Sequence, residues 1–240
     1  MRWEIQLAGD PADLRMLSKS LNKPELLVSE ENGQFALRST EFESLDSTDA
    51  VRNKARELIT AMSGCARLFL ETSQPIEVGA VTEIGKDGAR NIFVSPEPAI
   101  LRLRSTVSVV IKHSDGTIET RRPTDPVPAL IKAALQHEVV ARALRLRNVG
   151  TLEWVDLYRL YEVIESDVPR KNIESKGWAT KNQIDRFKHT ANSQKAVGDK
   201  ARHGKDPYSP PKNPMSLSEA RTLIDNLLKA WLQKKANSNV

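Results

Sequence analysis

The sequence predicts an α+β chain: an N-terminal antiparallel sheet with two helices, followed by an all-α helical-bundle domain. Three observations predict it. Apolar residues alternate with period two in short stretches before residue 122. From Ala129 onward they recur at helical spacing. Between the two patterns, "RRPTDPVP" holds Pro123, Pro126 and Pro128, and proline stiffens a chain and stops a strand. The expected organisation is an α+β domain over 1–122, a proline-rich junction over 123–128, a helical domain over 129–236 and a disordered tail over 237–240.

In "WEIQL", Trp3, Ile5 and Leu7 alternate as in a strand. "DPADLRMLSKSLN" has a proline directly after Asp10, which suits a capped short helix. In "LLVSEENGQFALRS", Asn32-Gly33 between two apolar runs signals a hairpin. Val51, Ala55, Leu58, Met62, Cys65 and Phe69 follow one another by four and three residues, so they line one face of a long helix. Cys65, the sole cysteine, therefore reads as a packed core thiol rather than a reactive nucleophile, which needs an electropositive, partly exposed setting. "IEVGAVTEIGKDGARNIFV" alternates around a turn at Gly85–Gly88. In "LRLRSTVSVVIKHSDGTIETRR", Leu101, Leu103, Val107, Val109 and Ile111 share a face, and His113 sits beside the Asp115-Gly116 turn.

In the second half, "ALIKAALQHEVVARALRLR" reads as one long helix with Ile131, Leu135 and Val139 on one face. "LEWVDLYRLYEVIESDV" places Trp154, Leu157, Tyr161, Ile164 and Val168 on one seam. Thr180 and Gln183 have capping-box spacing, as do Ser216 and Glu219. The last helix carries the seam Leu217, Ala220, Ile224, Leu227 and Trp231, with Lys229, Lys234 and Lys235 where its dipole favours cations. Such seams pack helices into a bundle, and they would equally serve a homodimer. "KDPYSPPKNP" is too rich in proline for a helix and reads as an extended connector.

Composition narrows the function classes. With 28% charged residues and no apolar run of spanning length, no membrane segment is expected, and the N-terminus lacks the basic and apolar regions of a signal peptide. A cytoplasmic location fits. One cysteine allows no intrachain disulfide and no cysteine-based zinc site. No Gly-rich phosphate loop follows a strand, so no nucleotide cofactor is expected. "HEVVA" puts Ala141 where a zincin helix needs its second histidine, which argues against a metalloprotease and leaves His137 a surface or interhelical hydrogen bonder. The Gly-x-Ser-x-Gly of a serine hydrolase does not occur. No cofactor or metal is expected.

Charge is uneven. Residues 1–125 sum to −3 and residues 126–240 to +8. The basic half is a candidate footprint for nucleic acid, or a solvated face that keeps the chain soluble. Two readings focus on "RFKHTANSQKAVGDKARHGKDPYSPPKNP". In the first, Arg202 and His203, with His189 and with Glu162 facing them from the Trp154 helix, form a catalytic set. Histidine moves protons near neutral pH and arginine holds phosphate, so they would cleave RNA through its 2′-hydroxyl without a metal. Alternatively Arg202 and His203 are the basic end of a helix closed by Gly204. In the second reading, Arg186, Lys188, Lys200 and Lys205, with Trp178, bind single-stranded nucleic acid by phosphate contacts and stacking. Lys181, Lys195 and Lys212 extend that surface, with Tyr208 as a further stacking ring, whereas Phe187 shares a face with Ile184 and reads as core.

The all-helical plan of residues 127–236, the aromatic helix "LEWVDLYRLYEVIE" and the late "KARHG" before a final helix resemble HEPN-like helical domains of bacteria. The resemblance implies a helical fold and two activities. Many such domains are metal-independent ribonucleases of toxin and antiphage defence systems. Others bind RNA or partner proteins without catalysis. The superfamily's motif separates Arg from His by four to six residues. Here Arg186 lies only three before His189, and Arg202 adjoins His203. The first expectation is therefore a non-catalytic RNA- or protein-binding module. The alternatives are a metal-independent endoribonuclease and a homodimeric assembly protein.

Overall fold

The computed structural model describes residues 2–70, 72, 74–85, 87–94, 126–203 and 211–237. The strand expected at 101–122 lies outside them, as do His113, Gly204, Lys205 and Tyr208. The chain divides into two compact units, Met1–Pro128 and Ala129–Val240.

The first unit begins with β1 (Arg2–Ala8) and α1 (Pro11–Ser20). The Asp10 carboxylate caps α1, accepting from the N–H groups of Ala12 and Asp13, with Pro11 in the first turn. β2 (Asn22–Lys23), β3 (Leu26–Glu31) and β4 (Gln34–Ser39) follow. Between β3 and β4, Asn32 and Gly33 adopt φ of 52° and 76°, the two positive values a type I′ turn demands. α2 (Thr48–Phe69), capped by Ser47, leads to β5 (Glu77–Ile84) and β6 (Arg90–Phe93). Among the described residues the strands form one antiparallel sheet in the order β2-β3-β4-β1-β5-β6.

Trp3, Ile5 and Leu7 of β1 are buried, as are Phe35 and Leu37 of β4 and Val81 of β5. α2 packs along β1 and β5, and α1 along β3. Val51, Ala55, Leu58, Met62 and Cys65 are fully buried, so the apolar stripe on α2 is the core stripe and the Cys65 thiol is sequestered. Near the sheet centre the β1–β5 register shifts between Ile5 and Leu7. Gly79 sits at this irregularity. A Cβ there would stand 3.0 Å from the Gln6 carbonyl oxygen and 3.2 Å from the Gln6 Cβ. Gly79→Ala is expected to lower stability by about 1–3 kcal/mol, because the backbone itself must move; chemical denaturation of the two proteins measures it.

From the proline-rich junction onward, α3 (Val127–Gln136), all but its first two residues in the second unit, and α4 (Glu138–Arg147) replace the single long helix that the spacing predicts. His137 separates them with extended backbone, φ −130° and ψ 108°. The reason is phase. At 3.6 residues per turn, nine residues would put Val140 about 180° from Ile131 on a straight helix. Glu138 and Arg145 would then continue the buried face of α3. The break re-phases the chain, so Leu130, Ile131 and Ala134 are buried on α3 and Val140, Ala143 and Leu144 on α4. Leu135, expected on the seam, is exposed, and Val139 is half-buried. The junction differs too: Val127 and Pro128 belong to the first turn of α3, a position proline tolerates.

α5 (Trp154–Asp167), α6 (Arg170–Ser175), α7 (Lys181–Asn192), α8 (Gln194–Val197) and α9 (Leu217–Asn237) complete the unit. α9 includes Asn237, the first residue of the expected tail. α5 is central, packing on α4, α7 and α9. Tyr158 and Tyr161 of α5 and Trp154 at its start surround Phe187 of α7, with ring centroids 5.8, 6.0 and 6.3 Å away. Polar clamps join the helices. Arg147 of α4 binds both carboxylate oxygens of Asp225 of α9, at 3.0 and 3.2 Å. Asp167 of α5 accepts from the Trp231 indole at 2.9 Å and from Lys235 at 2.7 Å. Burial pushes the Asp167 carboxyl up, but these two donors outweigh it and hold the group below its ordinary range.

Candidate functional site

Helix α5 turns its solvent-facing side toward the segment that follows α7. Glu153 at its start and Glu162 and Glu165 along it each meet a cation, the first two from that segment and Glu165 from α7 itself. Lys200 lies 3.0 Å from Glu153, Arg202 2.7 Å from Glu162 and Lys188 3.8 Å from Glu165. The segment is led there by α8 and a 3-10 turn at Gly198–Lys200, and the Arg202 N–H closes it back onto the Ala191 carbonyl at 2.9 Å. Arg202 and His203 thus follow a 3-10 turn rather than forming the basic end of a long helix.

Three of the four residues expected to act in catalysis come together here. The Arg202 guanidinium donates to Glu162, lies 3.0 Å from Nε2 of His203 and covers the Tyr158 ring with its carbon 4.1 Å from the centroid. A guanidinium only donates. Nε2 can take that hydrogen bond only as an acceptor, in the tautomer that carries its proton on Nδ1. Glu162 and His203 are exposed, so the cluster opens to solvent. His189, the fourth, is an exposed residue in the last turn of α7. Tyr161 donates to Glu165 at 2.7 Å with Lys188 over its ring, and burial first, then that hydrogen bond, raises its hydroxyl pKa.

Arg186, expected to bind nucleic acid, anchors the connector into α9 instead. It donates to the carbonyls of Asn213 and Pro214 at 2.9 and 3.0 Å and grips both oxygens of Glu219. The buried Thr190 hydroxyl accepts from the Met215 N–H at 3.0 Å, a second anchor. Glu219 and Ser216 close the expected capping box. The Ser216 backbone N–H, then Arg186, holds the Glu219 carboxyl down to about 2. Its folded value lies below the ordinary 4.5, so its stabilisation is complete above that pH and disappears as pH falls through about 2. Thermal unfolding midpoints should therefore fall over that window in the wild type and fall less in Glu219→Gln.

Trp178 stands apart from these pairs, at the corner between α6 and α7. Gly177 follows the α6 C-cap with φ of 69°, its N–H bonded to the Glu174 carbonyl at 3.0 Å, and the Trp178 N–H reaches Ile173 at 3.1 Å. This is a Schellman cap. Two residues on, Thr180 and Gln183 form the expected capping box of α7. Lys171, Lys176 and Lys181, all within seven residues of the half-buried Trp178 along the chain, are exposed. Among the described residues none of these three forms an ion pair. Lys171 and Lys176 escaped the sequence reading because α6 is six residues long and shows no seam; lysines at five-residue intervals about one tryptophan were the available signal.

Among the described residues no three His, Cys, Asp or Glu side chains are grouped to hold a metal ion, and no helix is long and apolar enough to cross a membrane. Compared with known proteins, the chain matches no family model, no curated protein and no solved structure at a significant level.

Proposed function

We propose that the second unit is a non-catalytic binding module for RNA. The observation that carries this reading is the commitment of Arg202: the guanidinium that would hold a scissile phosphate is spent on Glu162, His203 and the face of Tyr158. The +8 charge of residues 126–240 and the sequence resemblance to HEPN-like domains support a polyanionic partner. Purified protein and His203→Ala, mixed with RNA in EDTA, test it by gel shift and cleavage together. The expected result is binding by both, without cleavage, and with affinity falling steeply as salt rises. Cleavage by the wild type that is lost in His203→Ala would overturn it.

The convergence of Arg202, His203 and Glu162 favours that second reading, a metal-independent endoribonuclease. It requires Arg202 to exchange Nε2 of His203 for a phosphate oxygen, which frees the nitrogen as a base. The 2′-oxygen then attacks the adjacent phosphorus as its proton passes to His203, the bond from phosphorus to the 5′-oxygen breaks to leave a 2′,3′-cyclic phosphate, and water protonates the departing 5′-oxygen.

A further inference from the structure

The basic side chains nearest the Arg202 cluster are balanced by carboxylates, but those at the α6–α7 corner are not. The local acids, Glu174 and Asp185, are both taken by Arg170, each at 2.7 Å. Arg170 also reaches the Lys181 carbonyl at 3.4 Å, which draws the two helix ends together. Lys171, Lys176 and Lys181 are left without a carboxylate partner among the described residues, and the charged side chains of residues 170–185 sum to +2. Trp178 among them is unlike the core tryptophans. Trp3 donates its indole N–H to the Leu45 carbonyl and Trp231 to Asp167. Among the described residues Trp178 has neither a hydrogen bond from its ring nor an aromatic neighbour. The backbone beneath it is fixed from both sides by the Schellman cap and the capping box, so little ordering is needed when a partner arrives.

We propose that this corner is the docking site for single-stranded RNA, with a base stacked on Trp178 and phosphates on Lys171, Lys176 and Lys181. The inference rests on the RNA-binding reading and adds its place and substrate class. Single-stranded nucleic acid is the partner that supplies both halves of the chemistry, a backbone charge at regular intervals and an unstacked aromatic face. A duplex keeps its bases stacked and offers Trp178 only its backbone.

The test is fluorescence anisotropy of the full chain with a short labelled oligouridine, using Trp178→Ala, Trp178→Phe and the double variant Lys176→Glu/Lys181→Glu. The lysines are exposed and Trp178 is half-buried, and far-UV circular dichroism checks that each variant is folded. Trp178→Ala should weaken binding by about 5- to 100-fold, the loss of one base stack. Trp178→Phe should recover most of it, the lysine variant should weaken binding and flatten its salt dependence, and duplex RNA should compete poorly. Binding by the wild type that all three variants leave unchanged would overturn the corner as the site while the RNA-binding reading stands. No binding by the wild type would overturn that reading itself. Competition by polyglutamate as strong as by oligouridine, with no effect of Trp178→Ala, would point to an acidic protein and also overturn the proposal.

Discussion

Phe187→Ala should destabilise the second unit by about 3–5 kcal/mol, the usual cost of emptying a buried aromatic site. Phe187 is fully buried, and the rings of Trp154, Tyr158 and Tyr161 close around it from α5. Each of those rings is fixed elsewhere. Tyr161 is hydrogen-bonded to Glu165, Tyr158 lies under Arg202, and Trp154 opens the helix. The cavity therefore cannot collapse by moving one wall, which sets the cost toward the high end. Loss of Phe187 also loosens the floor beneath Arg202. Urea unfolding followed by tryptophan fluorescence reads the effect as a lower midpoint at unchanged slope. Phe187→Leu, which refills most of the volume, should cost less than half as much.

Trp231→Ala should have an effect of similar size by a mixed route. Trp231 is fully buried on α9, and its removal both opens a cavity and takes one of two donors from Asp167. Trp231→Phe separates the two contributions. It keeps most of the apolar surface but leaves Asp167 with Lys235 alone, and should cost about 1–3 kcal/mol. A Trp231→Phe protein as unstable as Trp231→Ala would assign the stabilisation to the hydrogen bond; one equal to the wild type would assign it to packing alone. Circular dichroism at several urea concentrations suffices.

Elements with local signals were legible in the sequence. Asp10, Thr180 and Ser216 cap the helices their spacing announces, and Asn32-Gly33 makes the turn that its chemistry requires. The seams of α5 and α9 needed only a count of residues, because a single face of each helix governs burial, whereas α2 is buried all round from Ala61 to Leu68, beyond what its stripe announces. The break at His137 was not legible. Neither proline nor glycine marks it, and it exists because two short apolar faces are out of phase, a fact of tertiary packing. The facing of Glu162 and Arg202 was legible in outline, since both belong to polar faces of neighbouring segments. The destination of Arg186 was not, because Asn213, Pro214 and Glu219 lie far along the chain and are brought near by the connector.

The row of carboxylates along α5 changes what the basic character of this chain means. Glu153, Glu162 and Glu165 are anions tethered within reach of Lys200, Arg202 and Lys188, and tethering gives them a local concentration that no dilution lowers. A phosphate arriving from solution competes with a resident. Exposed pairs of this kind are each worth only about 0–1 kcal/mol, so the residents can be displaced, yet every displacement subtracts from affinity. Ionic strength consequently acts on both contestants, loosening the internal pairs as it screens the incoming polyanion. If the proposed RNA binding extends to this face, removing one carboxylate, as in Glu162→Gln, should give a tighter-binding protein than the wild type, and the acidic residues of α5 would then meter that binding.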